Sequence, residues 1–272
     1  MTLPTAVTTA ALVSRSVDYG EADRVLTLLT RDVGKVAALA RGARRSRRRF
    51  GAALDLFVVG RAALRLGRDG RLATLERFDP TDDYGTSIAR DVIKLAHGSY
   101  LLELARELWP ADQREPELFA LVVDGLATLA SQRPSAGLLR AFELQVLRAV
   151  GLVPCLDRCV RCGAAAGNAA LSFSVAEGGV VCSPCGPTGW SLSGAAQQAL
   201  LALRDRPLMD AAGGAPAGVQ RELRDLMLLV VQHHLGRRPR ALDFLIELTE
   251  ATAPGLPPAA AGATTPPVER EA

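Results

Sequence analysis

The chain contains 272 residues, of which 49% are hydrophobic, and this is enough for two modest domains that each bury a core. No stretch approaches the roughly 18 uninterrupted apolar residues of a membrane-spanning helix, and charged residues interrupt the N-terminal region where a signal peptide would be apolar. The net charge of +3 is unevenly spread: residues 1–80 hold 15 lysines and arginines against 8 aspartates and glutamates, and the remainder holds 17 against 21. This split is typical of a nucleic-acid or membrane-surface face on the first domain and a protein-facing surface on the second.

Short apolar runs cut by turn residues predict five β-strands in residues 1–80. The runs are TTAALVSRSV, RVLTLLT, KVAALA, LDLFVVGRAALRL and RLATLERF. Gly34 in TRDVGK predicts a tight hairpin between strands two and three, and GRDG (Gly67–Gly70) predicts another between strands four and five. Five short strands with their longest insertion after strand three favour a small closed barrel.

That insertion is the basic stretch ARGARRSRRRF, which contains no acidic residue. Its arginines are Arg41, Arg44, Arg45, Arg47, Arg48 and Arg49. A run of charge is usually a solvated surface, and the residues alone leave open whether this one is a solvated loop or a binding surface for a polyanion.

After the barrel, apolar residues recur at helical spacing and predict an all-α domain in two parts, residues 81–153 and 191–250. We expect helices over 88–108, 115–130 and 136–150, with helix caps supplied from the region of Asp82, Asp83 and Ser87. Further helices are expected in the second part, the last of them short and near RALDFLIELTE. A Cys/Gly-rich insert, residues 154–190, separates the two parts. The Pro/Ala-rich residues 251–272 are expected to be disordered.

Four of the five cysteines form two C-x2-C pairs, Cys159 with Cys162 and Cys182 with Cys185, separated by 19 residues. This spacing predicts a zinc site, because each pair can turn two thiolates toward one point and two pairs complete a tetrahedral shell. A shell of four sulfurs leaves no open position, so we expect one structural Zn²⁺ per chain. Cys155 is interpreted as a spare thiol, with exchange for Cys159 as the alternative.

The sequence resembles the RecO family of bacterial recombination mediators. The matching stretches are GEADRVLTLLTRDVGKVAALARGARRSRRRFGAALDLF, GLVPCLDRCVRCG, FSVAEGGVVC and HHLGRRPRALDFL, in this order along the chain. The resemblance implies an N-terminal OB-fold barrel with a helical bundle behind it. Since no signal peptide is predicted, we expect a cytoplasmic, nucleoid-associated protein, and a monomer on its own is the default expectation. The resemblance also implies binding to single- and double-stranded DNA, strand annealing, and partnership with RecR in loading RecA onto strands coated by single-stranded-DNA-binding protein, itself a further candidate partner.

On an OB-fold, which binds nucleic acids through one face and its flanking loops, DNA contact becomes the favoured interpretation of the arginine stretch. We therefore predict a DNA site made by Lys35 and the six arginines. Phe57 and Phe78 lie in strand patterns and Tyr19 and Phe50 are the only other aromatic residues before position 80, so phosphate contacts should dominate over base stacking. Arg237, Arg238 and Arg240 follow a helix end, and stabilisation of that end is preferred to DNA contact.

No Walker phosphate loop, H-E-x-x-H motif or magnesium-type carboxylate cluster is present, so no enzymatic activity is predicted. Two rival interpretations remain open. One is a zinc-stabilised adaptor that acts through protein contacts of its acidic helical domain, with little direct DNA binding. The other is a nuclease with an unrecognised metal site.

Overall fold

In the computed structural model an N-terminal barrel is followed by a helical domain that carries a small three-stranded sheet. The structure describes residues 5–45, 50, 54–67, 72–111, 113–167, 171–186, 189–213 and 215–252. The predicted disordered tail therefore lies, except for its first two residues, outside the described residues. No helix in these ranges combines the length and apolar character needed to span a membrane.

Five strands close into a barrel in the order β1-β2-β3-β5-β4, with β4 returning to β1. They are β1 (Ala6–Tyr19), β2 (Asp23–Thr30), β3 (Gly34–Ala40), β4 (Val58–Arg65) and β5 (Ala73–Asp83). All neighbours run antiparallel except β3 and β5, which pair in parallel. The five predicted strands and the closed OB-type barrel are confirmed, as is the long connection after β3. The hairpin predicted at Gly67–Gly70 lies largely outside the described residues.

The turn between β2 and β3 explains why Gly34 stands at its position. Gly34 has φ +80°, a left-handed conformation that favours glycine, and an added Cβ would lie 2.3 Å from the carbonyl oxygen of Gln113. Trp109 Nε1 donates to the same oxygen at 3.2 Å. The predicted hairpin is confirmed, and it is also a point where the barrel and the helical domain come into close contact.

Seven α-helices follow within the described residues. They are α1 (Gly85–Ile88), α2 (Val92–Leu108), α3 (Pro116–Ser131), α4 (Ala136–Ala149), α5 (Gly194–Arg204), α6 (Ala217–Leu235) and α7 (Arg240–Thr252). The helix expected over 88–108 is divided at residues 89–91, since Asp91 accepts hydrogen bonds from the backbone N–H groups of Ile93 and Lys94 and begins α2. Asp83, from the region expected to supply caps, accepts a hydrogen bond from the backbone N–H of Thr86 and caps the short α1, whereas the cap of α2 is Asp91.

The insert forms a sheet of order β7-β6-β8 from β6 (Leu171–Ser174), β7 (Gly179–Val181) and β8 (Trp190–Leu192), with a 3-10 turn over Ser183–Cys185. Because Leu192 pairs with Leu171, this sheet extends two residues beyond the boundary expected at 190. Its apolar face is buried in the same core as α5 and α6.

One hydrophobic core runs through the helical domain, the insert and one outer side of the barrel. Leu12, Leu29 and Val59 of the barrel belong to it, whereas Ala11, Val13 and Leu28 fill the separate core inside the barrel. Phe57, which adopts φ +70°, is also buried in the larger core and packs against Gly98 of α2, where an added Cβ would lie 2.9 Å from its ring. The barrel is therefore packed firmly against α2.

Candidate nucleic-acid interface and metal centre

The residues that follow β3 are held against the turn between β1 and β2. The backbone N–H of Gly42 donates to Asp23 Oδ1 at 2.8 Å, and that of Arg44 donates to the carbonyl of Ala22 at 3.0 Å. Gly42 has φ +67°. This anchoring places the side chains of Arg41, Arg44 and Arg45 on the exposed surface of the barrel. We call residues 41–45 the arginine segment.

Two carboxylates, one near the end of β1 and one in the β1–β2 turn, lie beside this segment, although neither is near it in sequence. Arg44 Nε is 3.6 Å from Asp18 Oδ2, and Arg45 Nη2 is 3.4 Å from Glu21 Oε2. Arg41 makes no ion pair with any residue that the structure describes. Exposed ion pairs contribute only about 0–1 kcal/mol, so these arginines can exchange their carboxylate partners for a phosphate at little cost.

Arg47, Arg48 and Arg49, which complete the predicted set, lie outside the described residues. Phe50, the next residue that the structure describes, is 2% exposed and lies in the core of the barrel.

Lys35 lies apart from the arginines. Its Nζ donates to the carbonyl of Arg106 at 2.9 Å and to that of Trp109 at 3.3 Å, both at the C-terminal end of α2. Burial lowers the pKa of Lys35. The structure therefore gives this residue a position at the barrel–helix junction, where a cation satisfies the terminal carbonyls of a helix.

Exposed aromatic surface near the arginine segment is limited. Phe57 and Phe78 are each 2% exposed, whereas Tyr19 at the end of β1 is 60% exposed. One tyrosine is too little for a platform on which successive bases stack. The exposed surface beside the arginine segment thus offers guanidinium groups and little aromatic area.

The late basic group is largely engaged in ion pairs around the N-terminus of α7. Arg237 lies 3.2 Å from Glu103 and 3.2 Å from Glu107, and Arg238 lies 2.6 Å from Asp243. Arg237 and Arg238 thus contact α2 and α7, and no contact that these two form with other described residues stabilises the end of α6, which was the preferred interpretation. The side chain of Arg240 makes no hydrogen bond or ion pair within the described ranges.

The four predicted cysteines meet at one point. The Sγ atoms of Cys159, Cys162, Cys182 and Cys185 all lie within 4.8 Å of one another. Cys162 and Cys182 come from different C-x2-C pairs, and their sulfurs are 3.6 Å apart. Gly163 and Gly186, which follow the pairs, have φ +74° and +89° and allow the chain to turn sharply after each of them.

These sulfurs fit a tetrahedral zinc ion. Zn–S bonds of about 2.3 Å place the sulfurs of such a shell about 3.8 Å apart, which matches the spacing of the cluster. The backbone N–H of Cys182 donates to Cys159 Sγ at 3.4 Å, and such donation lowers the pKa of the Cys159 thiol to about 6. A thiolate, the form that ligates metal, is thereby favoured at Cys159, whereas hydrogen bonds with Cys162 and Cys182 raise the pKa of Cys185 to about 12.

Cys155 is outside the cluster. Its Sγ donates to Asp157 Oδ1 at 3.6 Å and to the carbonyl of Arg158 at 3.4 Å. The backbone of Cys155 pairs with Gly178 and Val180, so this residue supports the loop that presents Cys159. The geometry favours its interpretation as a spare thiol.

Comparisons with known proteins agree with this architecture. Residues 1–84 match the family model described as Recombination protein O N terminal, and residues 89–243 match that described as Recombination protein O C terminal. A protein named DNA repair protein RecO from Anaeromyxobacter dehalogenans (strain 2CP-C) is 44% identical over 87% of this chain and 94% of its own length. Proteins of the same name from Myxococcus xanthus and Frankia casuarinae are 40% and 38% identical over 88% and 86% of this chain, and over 96% of their own lengths.

Proposed function

Because the chain belongs to the RecO family of DNA repair proteins, we propose that it is a non-enzymatic, DNA-binding mediator of recombinational repair in the RecF-type pathway. In this proposal it binds single- and double-stranded DNA in the cytoplasm, at the nucleoid. It anneals complementary strands and, with RecR, helps to load RecA onto strands coated by single-stranded-DNA-binding protein. No catalytic step is assigned to the chain itself.

The arginine segment is the observation that carries the DNA-binding part of this proposal. Its guanidinium groups are exposed on an OB-type barrel and have at most weak, solvent-exposed ion pairs. The planar guanidinium binds two phosphate oxygens at once, so a sugar–phosphate backbone can displace a single carboxylate. Lys35 is left out of this surface because it is bound to the carbonyls of α2.

Contacts of this kind suit strand annealing. A surface that grips phosphates and offers few aromatic residues holds DNA by its backbone and leaves the base edges free to pair with a second strand. Such binding has weak sequence preference and depends steeply on salt, because each neutralised phosphate releases a counterion.

We expect the variant Arg41→Gln/Arg44→Gln/Arg45→Gln to bind single-stranded DNA more weakly and with a flatter salt dependence. Each lost phosphate contact should reduce the slope of log affinity against log salt by about 0.7, so three contacts correspond to about 2. Fluorescence anisotropy with labelled oligo-dT at several salt concentrations measures this slope. The matched control is Arg90→Gln/Arg114→Gln/Arg133→Gln, which removes three exposed arginines outside the barrel and should keep the wild-type slope.

An unchanged slope in the first variant would remove the arginine segment from the DNA site. Absence of DNA binding by the wild-type protein in dilute salt, together with binding to RecR, would instead favour the adaptor function. The two measurements therefore distinguish a mediator that touches DNA from a protein that acts only through partners.

We further propose that the four-cysteine cluster holds one Zn²⁺ with a structural role. The bound ion would connect the two C-x2-C pairs and so brace the insert against α5. A shell of four thiolates leaves no position for water or substrate. The role of the cysteines would therefore be to stabilise the insert.

A further inference from the structure

A cleft of about 520 Å³ opens where the barrel meets the helical domain. Its walls come from β1, from Leu56 before β4, from α2, and from Arg237 and the first residues of α7. The charged residues along these walls are Arg15, Glu103, Arg106, Glu107, Arg237 and Arg240. We call this feature the junction cleft.

The two carboxylates of the junction cleft are occupied by protein partners. Glu103 accepts hydrogen bonds from the backbone N–H groups of Arg240 and Ala241, at 3.1 and 2.7 Å, and from Arg237 at 3.2 Å. Glu107 lies 3.2 Å from Arg237 and 3.4 Å from Arg106. Glu103 thereby caps the N-terminus of α7, and the charges of Arg106 and Arg237 balance those of the two glutamates.

The remaining two guanidinium groups, those of Arg15 and Arg240, are exposed and unmatched. Neither side chain forms a hydrogen bond or ion pair within the described part of the chain. Both line the same cleft, so it carries two positive charges beyond those that its carboxylates neutralise. Guanidinium groups left in this way in a concave polar site are suited to bind phosphate oxygens.

A β-bulge in β1 gives Arg15 its outward position. Val13, which faces the barrel interior, pairs with Leu28, but Arg15 pairs with Thr27, so Ser14 is the extra residue. The next inward position falls on Ser16, which pairs with the inward-facing Leu26. Strict alternation from Val13 would have turned residue 15 into the barrel, and the bulge instead places Arg15 at the cleft.

The outer face of β1 connects the junction cleft to the arginine segment. Residues alternate along a strand, so Arg15, Val17 and Tyr19 share this face, and Val17 and Tyr19 are 45% and 60% exposed. Arg15 and Tyr19 are four residues apart, or roughly 13 Å. Tyr19 ends β1, and the residues that follow it, Ala22 and Asp23, accept the backbone hydrogen bonds that hold the arginine segment. An exposed path thus leads from the arginine segment to the cleft.

We propose that bound single-stranded DNA continues from the arginine segment along the outer face of β1 into the junction cleft, where Arg15 and Arg240 bind its phosphates. This inference rests on the proposed DNA binding by the barrel and extends it to the helical domain. Tyr19 is the one exposed aromatic residue on the path and stacks on a base there. The DNA backbone therefore spans both domains of the protein.

The test compares Arg15→Gln/Arg240→Gln with Arg114→Gln/Arg133→Gln, a control that removes two other exposed arginines, in the full-length protein. Anisotropy is measured with labelled oligo-dT of about 6 and about 20 nucleotides, since OB-fold sites cover about 4–16 nucleotides. For the longer strand, the cleft variant should bind several-fold more weakly, with a salt slope flatter by about 1.4 than that of the control. For the shorter strand, which the arginine segment can hold alone, the two variants should bind equally.

Other outcomes overturn the inference in distinguishable ways. If the cleft variant matches the control on both strands while Arg41→Gln/Arg44→Gln/Arg45→Gln binds more weakly, the cleft is not part of the DNA path and the proposed function stands. If the cleft variant, compared with the control, binds poly-glutamate more weakly but binds DNA equally, the cleft receives an acidic protein segment. If the wild-type protein binds neither strand, the inference and the proposed DNA binding both fail.

Discussion

Glu143 lies in the core of the helical domain, in a buried cluster with Tyr100 and Arg140. Tyr100 Oη donates to Glu143 Oε1 at 2.6 Å, and Arg140 Nη2 lies 2.7 Å from the same oxygen. The other oxygen, Oε2, has no hydrogen-bond partner in the described part of the structure. Burial raises the pKa of Glu143, although the charge of Arg140 and the hydrogen bond from Tyr100 lower it. The carboxylate is thus an incompletely satisfied buried charge.

We expect Glu143 to make the protein less stable as pH rises. Between the ordinary carboxyl pKa of 4.5 and the raised pKa, the folded protein keeps a proton that the unfolded chain releases, so the free energy of unfolding falls with pH in this window. Glu143→Gln cannot titrate, and the stability of the variant relative to the wild type should therefore increase across the window and level off above it. Urea unfolding at a series of pH values measures this difference.

The exposed replacement Glu117→Gln at the start of α3 controls for the loss of one carboxylate. If the free energies of unfolding of Glu143→Gln and the wild type differ by the same amount at every pH, burial does not raise the pKa of Glu143. Absolute loss of stability at every pH is compatible with the prediction, because Arg140 loses its charged partner in the variant.

Single residues also show where sequence reasoning reached its limit. The arginine segment was visible as a run of charge, but Asp18 and Glu21 precede Arg44 and Arg45 by more than twenty positions and approach them only because β1, β2 and β3 are hydrogen-bonded side by side. Lys35 was grouped with the arginines by charge alone. Its contact with α2 depends on how the helix docks, which strand and helix periodicity do not encode.

At the scale of elements, the sequence predicted most of the architecture. Alternation and turn residues predicted the five barrel strands, and helical periodicity predicted α2 to α7 within a few residues, because these patterns reflect burial directly. Boundaries were less accurate. β5 continues to Asp83 rather than ending near 80, since Val58 and Val59 of β4 pair with Asp83 and Asp82. Likewise, the choice of Asp91 as helix cap depends on a local hydrogen bond that several nearby acidic residues could have made.

In the insert, the zinc site was predicted from the spacing of the cysteines. Three short strands and a 3-10 turn would form a weak unit alone, but Gln197 of α5 donates to the carbonyl of Leu156 at 2.7 Å, and Phe173 and Val180 enter the main core. The cysteine cluster lies at one end of this unit. A metal ion there would fix the loops that the sheet itself does not hold.

We expect the purified wild-type protein and Cys155→Ser to contain one Zn²⁺ per chain, and Cys162→Ser to contain little. Both substitutions replace a cysteine by serine. They differ in that Cys162 belongs to the cluster and Cys155 does not. Metal content is measured by inductively coupled plasma mass spectrometry. Hydrogen exchange should become faster in β6 to β8 of Cys162→Ser and stay unchanged in the barrel strands.

Equal zinc content in both variants would show that the four sulfurs do not form the site. If zinc is lost in Cys155→Ser and retained in Cys159→Ser, Cys155 replaces Cys159 as the fourth ligand. Faster exchange throughout the barrel of Cys162→Ser would mean that the ion supports the whole protein and not only the insert.

At the scale of the whole molecule, the barrel and the helical domain are joined by packing and by polar contacts. Leu12, Leu29 and Val59 of the barrel are buried in the helical core. Lys35 binds the carbonyls at the end of α2, and in return Arg106 of α2 donates to the carbonyl of Ser14 in β1 at 3.1 Å. A path for DNA across both domains requires such a fixed arrangement, because a mobile junction would separate Arg15 from Arg240.

We therefore expect the described protein to unfold in a single step, and Lys35→Met to destabilise both domains equally. Trp109 is buried at the junction and Trp190 is the only other tryptophan, so in a Trp190→Phe background fluorescence reports on the junction alone. Urea unfolding followed by this fluorescence and by far-ultraviolet circular dichroism should give coincident transitions. Lys35→Met should lower the free energy of unfolding by about 1–2 kcal/mol in both signals, since hydrogen bonds from a charged donor to two carbonyls are lost. Arg133→Met, an exposed control, should leave the free energy of unfolding unchanged in both signals. Separate transitions in fluorescence and circular dichroism would show that the domains are not coupled.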